Sequence, residues 1–102
     1  MKVVFTTEAL ADLEHIADYI ALDNSARASS FVGELIDKAR GLADMPSRFP
    51  LVPRYEHVGI RRRVHGNYLI FYRVKPHSIE VIHIVHGSRD YEALLFTDNY
   101  DQ

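Results

Sequence analysis

Three consecutive arginines, Arg61-Arg62-Arg63, are the strongest chemical feature of the chain, and Arg89 adds a further guanidinium close to His86. Adjacent guanidiniums on one strand repel each other and lose solvation unless something anionic or acidic lies near them. The acid could be the chain's own, with Glu56, Glu80 and the acidic N-terminal half as acceptors, or it could belong to a phosphate or a partner protein. A patch of this size supports weak autonomous nucleic-acid binding at most, because affinity scales with the phosphates neutralised. General acid–base chemistry needs a titratable group within hydrogen-bond reach of its target, which leaves His65 and His86 as candidates. Arg89-Asp90 reads more simply as an ion pair that fixes a turn. His83 and His86 are three apart, so strand alternation sends them to opposite faces, and no second ligand stands at i+2 beside either. No metal site and no cofactor are expected. There is no cysteine, hence no thiolate nucleophile, disulfide or cysteine-ligated zinc.

The elements that must position these groups follow from 102 residues, enough for one domain spanning 1–102 with its own core. The apolar run Val3–Phe5 is too short for a signal-peptide core, and no stretch approaches a membrane span. The expectation is a soluble cytoplasmic protein with no membrane contact. Net charge is −2, which argues against bulk affinity for nucleic acid, but the charge is unevenly spread. Residues 1–45 carry eight acids and four bases, whereas residues 54–91 carry seven bases, three acids and five of the six histidines. An acidic helical half and a basic sheet half follow from that division.

"KVVFT" (Lys2–Thr6) reads as a strand, after which Thr6 or Thr7 caps a helix. Leu10, Leu13, Ile16, Ala17 and Ile20 recur at helical spacing through Ala21, with Asp12, Glu14 and Asp18 facing away. Asp23–Ser25 is a break and a second cap, and Phe31, Leu35, Ala39 and Leu42 stripe a second helix predicted to end near Met45–Pro46. Pro46, Pro50 and Pro53 then keep a strap extended. Strands are predicted at Gly59–His65, Tyr68–Lys75 and Ile79–His86, and Arg89–Phe96 is either a last helical turn or a coil on the sheet. The fold class is α+β in the order βααβββ, a helical hairpin packed on one face of a mostly antiparallel sheet.

Gly66-Asn67 is a two-residue hairpin turn, which sets His65 opposite Tyr68, Arg63 opposite Ile70 and Arg61 opposite Tyr72. One face then carries Arg61, Arg63, His65, Tyr68, Ile70 and Tyr72. The other carries Ile60, Arg62, Val64, Leu69, Phe71 and Arg73. Periodicity alone does not say which face meets the helices.

"GIRRRVHGNYLIFYRV" followed by "IEVIHIVHGSRDYEALL" resembles the C-terminal half of the RelE/ParE toxins of bacterial type II toxin–antitoxin systems. "DLEHIADYIALDN" and "MPSRFPLVPRYEHVGIRRR" resemble that family's first helix and strap, so the likeness spans about residues 3–96 and lies nearest the ParE branch. The resemblance implies one of two activities. ParE-like members are gyrase poisons without an active site of their own, neutralised by a ParD-like antitoxin with a ribbon-helix-helix N-terminus and a flexible amphipathic C-terminus. RelE-like members are ribosome-dependent messenger endoribonucleases. Of the positions that carry functional side chains in the ribonucleases, Arg62 and Arg89 are retained, while Ile60, Leu69 and Leu95 replace the other three. The alternative reading therefore rests on Arg62, Arg89 and His65.

The same mapping places Tyr68, Ile70 and Tyr72 under the helices, in a core with Leu13, Ile16, Ile20, Phe31, Leu35 and Leu42. Ile60, Arg62, Val64, Leu69, Phe71 and Arg73 then form an open face, covered partly by Leu94–Phe96 and partly by the antitoxin. Arg61, Arg62, Arg63 and Arg89 are expected to face the target, DNA gyrase, whose inhibition would bring growth arrest.

Overall fold

The computed structural model describes residues 1–97. Four strands and three helices alternate as β1 (Lys2–Phe5), α1 (Thr7–Ala21), α2 (Ser25–Arg40), β2 (Ile60–His65), β3 (Tyr68–Val74), β4 (Ser78–His86) and α3 (Tyr91–Thr97). The sheet order is β1-β4-β3-β2, antiparallel except where β1 lies parallel to β4. Among the described residues, no helix is long and apolar enough to cross a membrane.

Both helices start where short polar side chains can satisfy the first free amides. Thr6 Oγ1 accepts from the Ala9 amide at 3.0 Å and also donates to the Ile82 carbonyl at 3.0 Å, so one hydroxyl caps α1 and ties it to β4. Asn24 Oδ1 accepts from the Arg27 amide at 3.0 Å. Helix α2 ends at Arg40, earlier than its apolar stripe suggests, because the chain tightens into a 3-10 turn over Gly41–Ala43 that still buries Leu42. Gly66 has φ 59°, as the first central residue of a two-residue hairpin turn requires, and the β2–β3 register follows as expected: His65 with Tyr68, Arg63 with Ile70, Arg61 with Tyr72.

The strap is extended only in part. The Val52 amide donates to the Ile60 carbonyl at 2.8 Å and the Arg62 amide to the Pro50 carbonyl at 3.1 Å, so Pro50–Val52 lies along the outer edge of β2. Arg54 then adopts φ 77°, and a 3-10 turn over Glu56–Val58 leads into β2 through Gly59.

Two cores result. The first lies between the helical hairpin and the sheet and holds all nine residues expected there, with Ile20 and Tyr68 at its margin. The second lies on the opposite face, where Ile60, Leu69, Phe71, Ile82 and Val85 are covered by Val52 and Tyr55 of the strap and by Tyr91, Leu94 and Leu95 of α3. The run "LIFY" in β3 lacks alternation because both of its faces are buried. An expected contribution of the Phe96 side chain falls outside what is described.

Strand β4 carries a bulge where β3 passes from Phe71 to Tyr72. Val81 and Ile84 face the first core, and Ile82 and Val85 the second, a spacing of three on each face where a regular strand would give two.

Candidate functional site

The three adjacent arginines do not form one patch. Arg61 Nη1 donates to the carbonyls of Phe49 at 2.7 Å and Ser47 at 3.2 Å. Arg63 Nη1 donates to the Lys38 carbonyl at 3.1 Å, in the last turn of α2, and its guanidinium lies 4.7 Å from the centre of the Phe49 ring. A cation at the last carbonyls of a helix is stabilised by the helix dipole. Both side chains thus wrap the sheet edge and fasten the helical hairpin and strap to β2. Arg62 points to the opposite face and donates from Nη1 to the Tyr91 hydroxyl at 3.5 Å.

The face expected to stay open is closed by the chain itself. Ile60 and Phe71 are fully buried, Leu69 is 8% exposed, and the Phe71 ring lies 5.0 Å from that of Tyr91. Arg54 pairs with Glu92 of α3 at 3.0 Å, and the Tyr55 hydroxyl donates to the Glu92 carbonyl at 3.3 Å, so the strap and α3 lock together over the sheet. Arg73 and Lys75 both reach Glu80, at 4.0 and 3.3 Å. Val64, at the rim, is the one apolar member of the expected patch that remains exposed, at 60%. A Leu69→Asp substitution would therefore report on folding rather than on a partner.

His65, Arg62 and Arg89 are not brought together. His65 lies on the helix side, where Nε2 meets Glu34 Oε1 at 2.9 Å and the ring packs 5.6 Å from Phe31. Arg62 is on the other side of the sheet, and Arg89 lies in the turn after β4, at the rim of a cleft that His65 does not line. The Arg27 guanidinium, and after it His65, holds the Glu34 carboxyl down to about 2 from an ordinary 4.5. A carboxyl with a depressed folded-state pKa adds stability that is complete above its unfolded value and vanishes as pH falls through its folded value. Urea midpoints should accordingly fall between pH 4.5 and 2, and fall less in Glu34→Gln. Equal losses in both proteins would mean that the Arg27–Glu34–His65 contact is absent in solution.

At the end of the sheet, α1, the first turns of α2, the β2–β3 turn and the end of β4 enclose a cleft of about 770 Å³. Its apolar floor is Ile16, Ile20, Phe31 and Ile84, and its rim includes His15, Tyr19, His86 and Arg89. The Phe31, Tyr68 and His86 rings run in sequence along one wall, each 5.3 Å from the next. Burial, and then the neighbouring Tyr19, raises the Tyr68 hydroxyl above its usual value. His86 Nδ1 accepts from the Ser88 amide at 3.1 Å and lies 2.7 Å from Ser88 Oγ. Its lone pair is already shared, which ill suits a general base.

One polar group at the cleft was not foreseen. Asp12, expected on the outward face of α1, turns to β4: Oδ2 lies 2.7 Å from His83 Nδ1 and accepts from the Ile84 amide at 2.9 Å. Ile84 lies opposite Ile70 on the helix side and His83 opposite Phe71, and both reach Asp12 along the edge of β4 that β1 leaves unpaired beyond Val81. His83 pairs with Phe71, which faces the second core, and His86 with Tyr68, at the margin of the first, so the register keeps the two histidines on opposite faces as alternation predicts. The available signal was a histidine inside the otherwise apolar run "VIHIV", since a buried polar group needs a partner.

Comparison with known proteins places this geometry in a family. The family described as the ParE toxin of the type II toxin–antitoxin system, parDE, matches residues 3–91. No curated protein matches the chain. A solved structure described as the chromosomal ParDE toxin–antitoxin system from P. aeruginosa shares the fold, with a TM-score of 0.69 and 24% identity over 84% of this chain and 95% of that chain.

Proposed function

The chain belongs to the ParE toxin family of type II toxin–antitoxin systems, and on that premise we propose that it is a growth-arresting toxin that binds DNA gyrase and is held silent by a ParD-like antitoxin. The observation that carries the choice of activity is the fate of three positions. Ile60, Leu69 and Leu95 stand where the resembling ribonucleases carry functional side chains, and all three lie in one buried apolar cluster with Phe71. The face that would hold RNA is a core. Arg62, retained on that face, is engaged by Tyr91, and His65 is on the other side of the sheet. Binding, rather than bond cleavage, is the activity this arrangement supports.

Purified toxin added to gyrase and supercoiled plasmid should accumulate cleaved DNA. Arg89→Ala should reduce that accumulation, because Arg89 is exposed and its side chain makes no hydrogen bond or ion pair among the described residues. Arg61→Ala and Arg63→Ala are unsuitable probes, since both guanidiniums fasten the fold. Codon-dependent cuts in messenger RNA on translating ribosomes, with no effect on gyrase, would replace this reading by the ribonuclease.

A further inference from the structure

Among the described residues, the chain closes only one of the two edges of its sheet. Along β2, the Ile60 carbonyl and the Arg62 amide are taken up by Val52 and Pro50 of the strap. Along β1, no described segment adds a strand. The Thr6 amide donates to the Val81 carbonyl at 3.0 Å, which sets the phase of the β1–β4 ladder. Successive residues of a strand turn their amide and carbonyl to opposite edges. Lys2 and Val4 therefore address β4, while Val3 and Phe5 point theirs outward, where no described group bonds them. An unpaired row of this kind is a template for a further strand.

Self-complementarity narrows the occupant. When a second β1 lies antiparallel with Val4 opposite Val4, Val3 of each copy faces Phe5 of the other. Both residues bond outward, so each such pair exchanges both main-chain bonds and leaves no outward amide or carbonyl of the strand unmet. Val4, 40% exposed, meets its own copy at the close, non-hydrogen-bonded position. Half-buried Val3 and Phe5, which pack against the first core, extend that core across the join. Charge agrees with this register. Lys2, the only charged residue of the strand, comes opposite Thr6, close to Glu8 in the first turn of α1, and never opposite another Lys2. Lys2 and Glu8 are both exposed, and neither forms an ion pair among the described residues.

We propose that β1 is a homodimerisation edge: a second copy of this chain adds its β1 antiparallel to the first about a two-fold axis at Val4, and the two four-stranded sheets become one. Both helical hairpins then lie on the same side of the joined sheet, because opposed residues of an antiparallel pair share a face. Strand β1 ends with Phe5 beside Val81, whereas the cleft takes from β4 only residues from Ile84 onward, so pairing leaves both clefts open. A join of four residues is small against the roughly 1,200–2,000 Å² that stable complexes bury, so the dimer is weak and forms at high concentration.

Sedimentation velocity of the whole chain from about 5 to 500 µM tests this, a range that spans the dissociation constants of weak pairs. The wild type should pass from monomer to dimer across it. Val4→Lys sets like charges directly opposite each other at the axis, and Val3→Pro removes an outward amide without touching the ladder to β4. Each should weaken dimerisation by at least about tenfold. Lys2→Glu should weaken it too, and adding Glu8→Lys should restore it, a rescue that damage to the strand itself would not show. Circular dichroism reports whether each variant is folded. Should Val3→Pro fail to fold, Val4→Lys, at an exposed position, decides alone. Tyr19→Ala, at the cleft, should dimerise as wild type. A monomer throughout the range overturns the proposal. So does a dimer that persists in folded Val4→Lys, or one that is lost with Tyr19→Ala.

Discussion

Phe71→Ala is expected to destabilise the protein by about 3–5 kcal/mol, the range for truncating a fully buried phenylalanine. Phe71 has no exposed surface, and its ring stands between the β2–β3 ladder and Tyr91 of α3. The cost has two sources: lost transfer free energy, and a void that the surroundings fill only partly. Here the surroundings are not a single rigid layer. Leu95 and Tyr91 belong to a seven-residue helix, and Val52 and Tyr55 to a turn-rich strap. Small domains are stable by about 5–15 kcal/mol in all, so the variant should be near its unfolding threshold at 37 °C. Urea denaturation followed by far-ultraviolet circular dichroism measures the loss. A change below about 1 kcal/mol would mean that α3 does not cover Phe71 in solution, since an uncovered phenylalanine leaves no void when truncated.

Asp12→Ala carries the second large effect. Its carboxylate serves two donors at once, the His83 ring and the Ile84 amide, and the Asp12 side chain is only 13% exposed. A buried donor stripped of its acceptor costs about 1–3 kcal/mol, so the substitution should cost about 2–4 kcal/mol after allowing for water reaching the partly open site. Asp12→Asn keeps one acceptor oxygen and should retain roughly half of that stability. A double-mutant cycle with His83→Phe isolates the pair: residues sharing a hydrogen-bond network couple by about 0.5–3 kcal/mol, and a coupling near zero would show that Asp12 acts through Ile84 alone.

What could be read from the sequence was whatever local chemistry decides. Thr6 and Asn24 announce the helix starts, since only short polar side chains satisfy the first amides. Gly66-Asn67 sets the β2–β3 register, because a two-residue turn leaves one alignment. The helical stripes predict the helix side of the first core apart from Ala9, although Leu10, read as part of the same stripe, is exposed. The second core was foreseen only at Leu94 and Leu95, because its other covering residues are scattered: Val52 and Tyr55 sit among prolines, and Tyr91 belongs to a segment too short to show a period. The arginines misled through adjacency. Alternation already separates Arg62 from its neighbours, yet three consecutive charges invite a single role, and only the positions of the Lys38, Ser47 and Phe49 carbonyls reveal the other. The bulge had no sequence signal, and the Asp12–His83 contact had only the histidine within "VIHIV" to announce it.

The parallel pairing of β1 with β4 sets a schedule for the newborn chain. Lys2 meets Ser78 and Phe5 meets Val81, so the first strand made waits for the last. Helices α1 and α2 are complete at Arg40, yet the sheet that covers their apolar stripes is finished only when β4 has been translated. At about 5–20 residues per second, the interval amounts to roughly 2–9 s in which the polypeptide exists without its fold. The cleft closes last of all, since Ile84, His86 and Arg89 follow that pairing in the chain. That end of the sheet thus cannot assemble until synthesis of β4 is over. Nascent chains stalled before Ser78 should be cut rapidly by protease within α2, and those extended past Arg89 and released should resist.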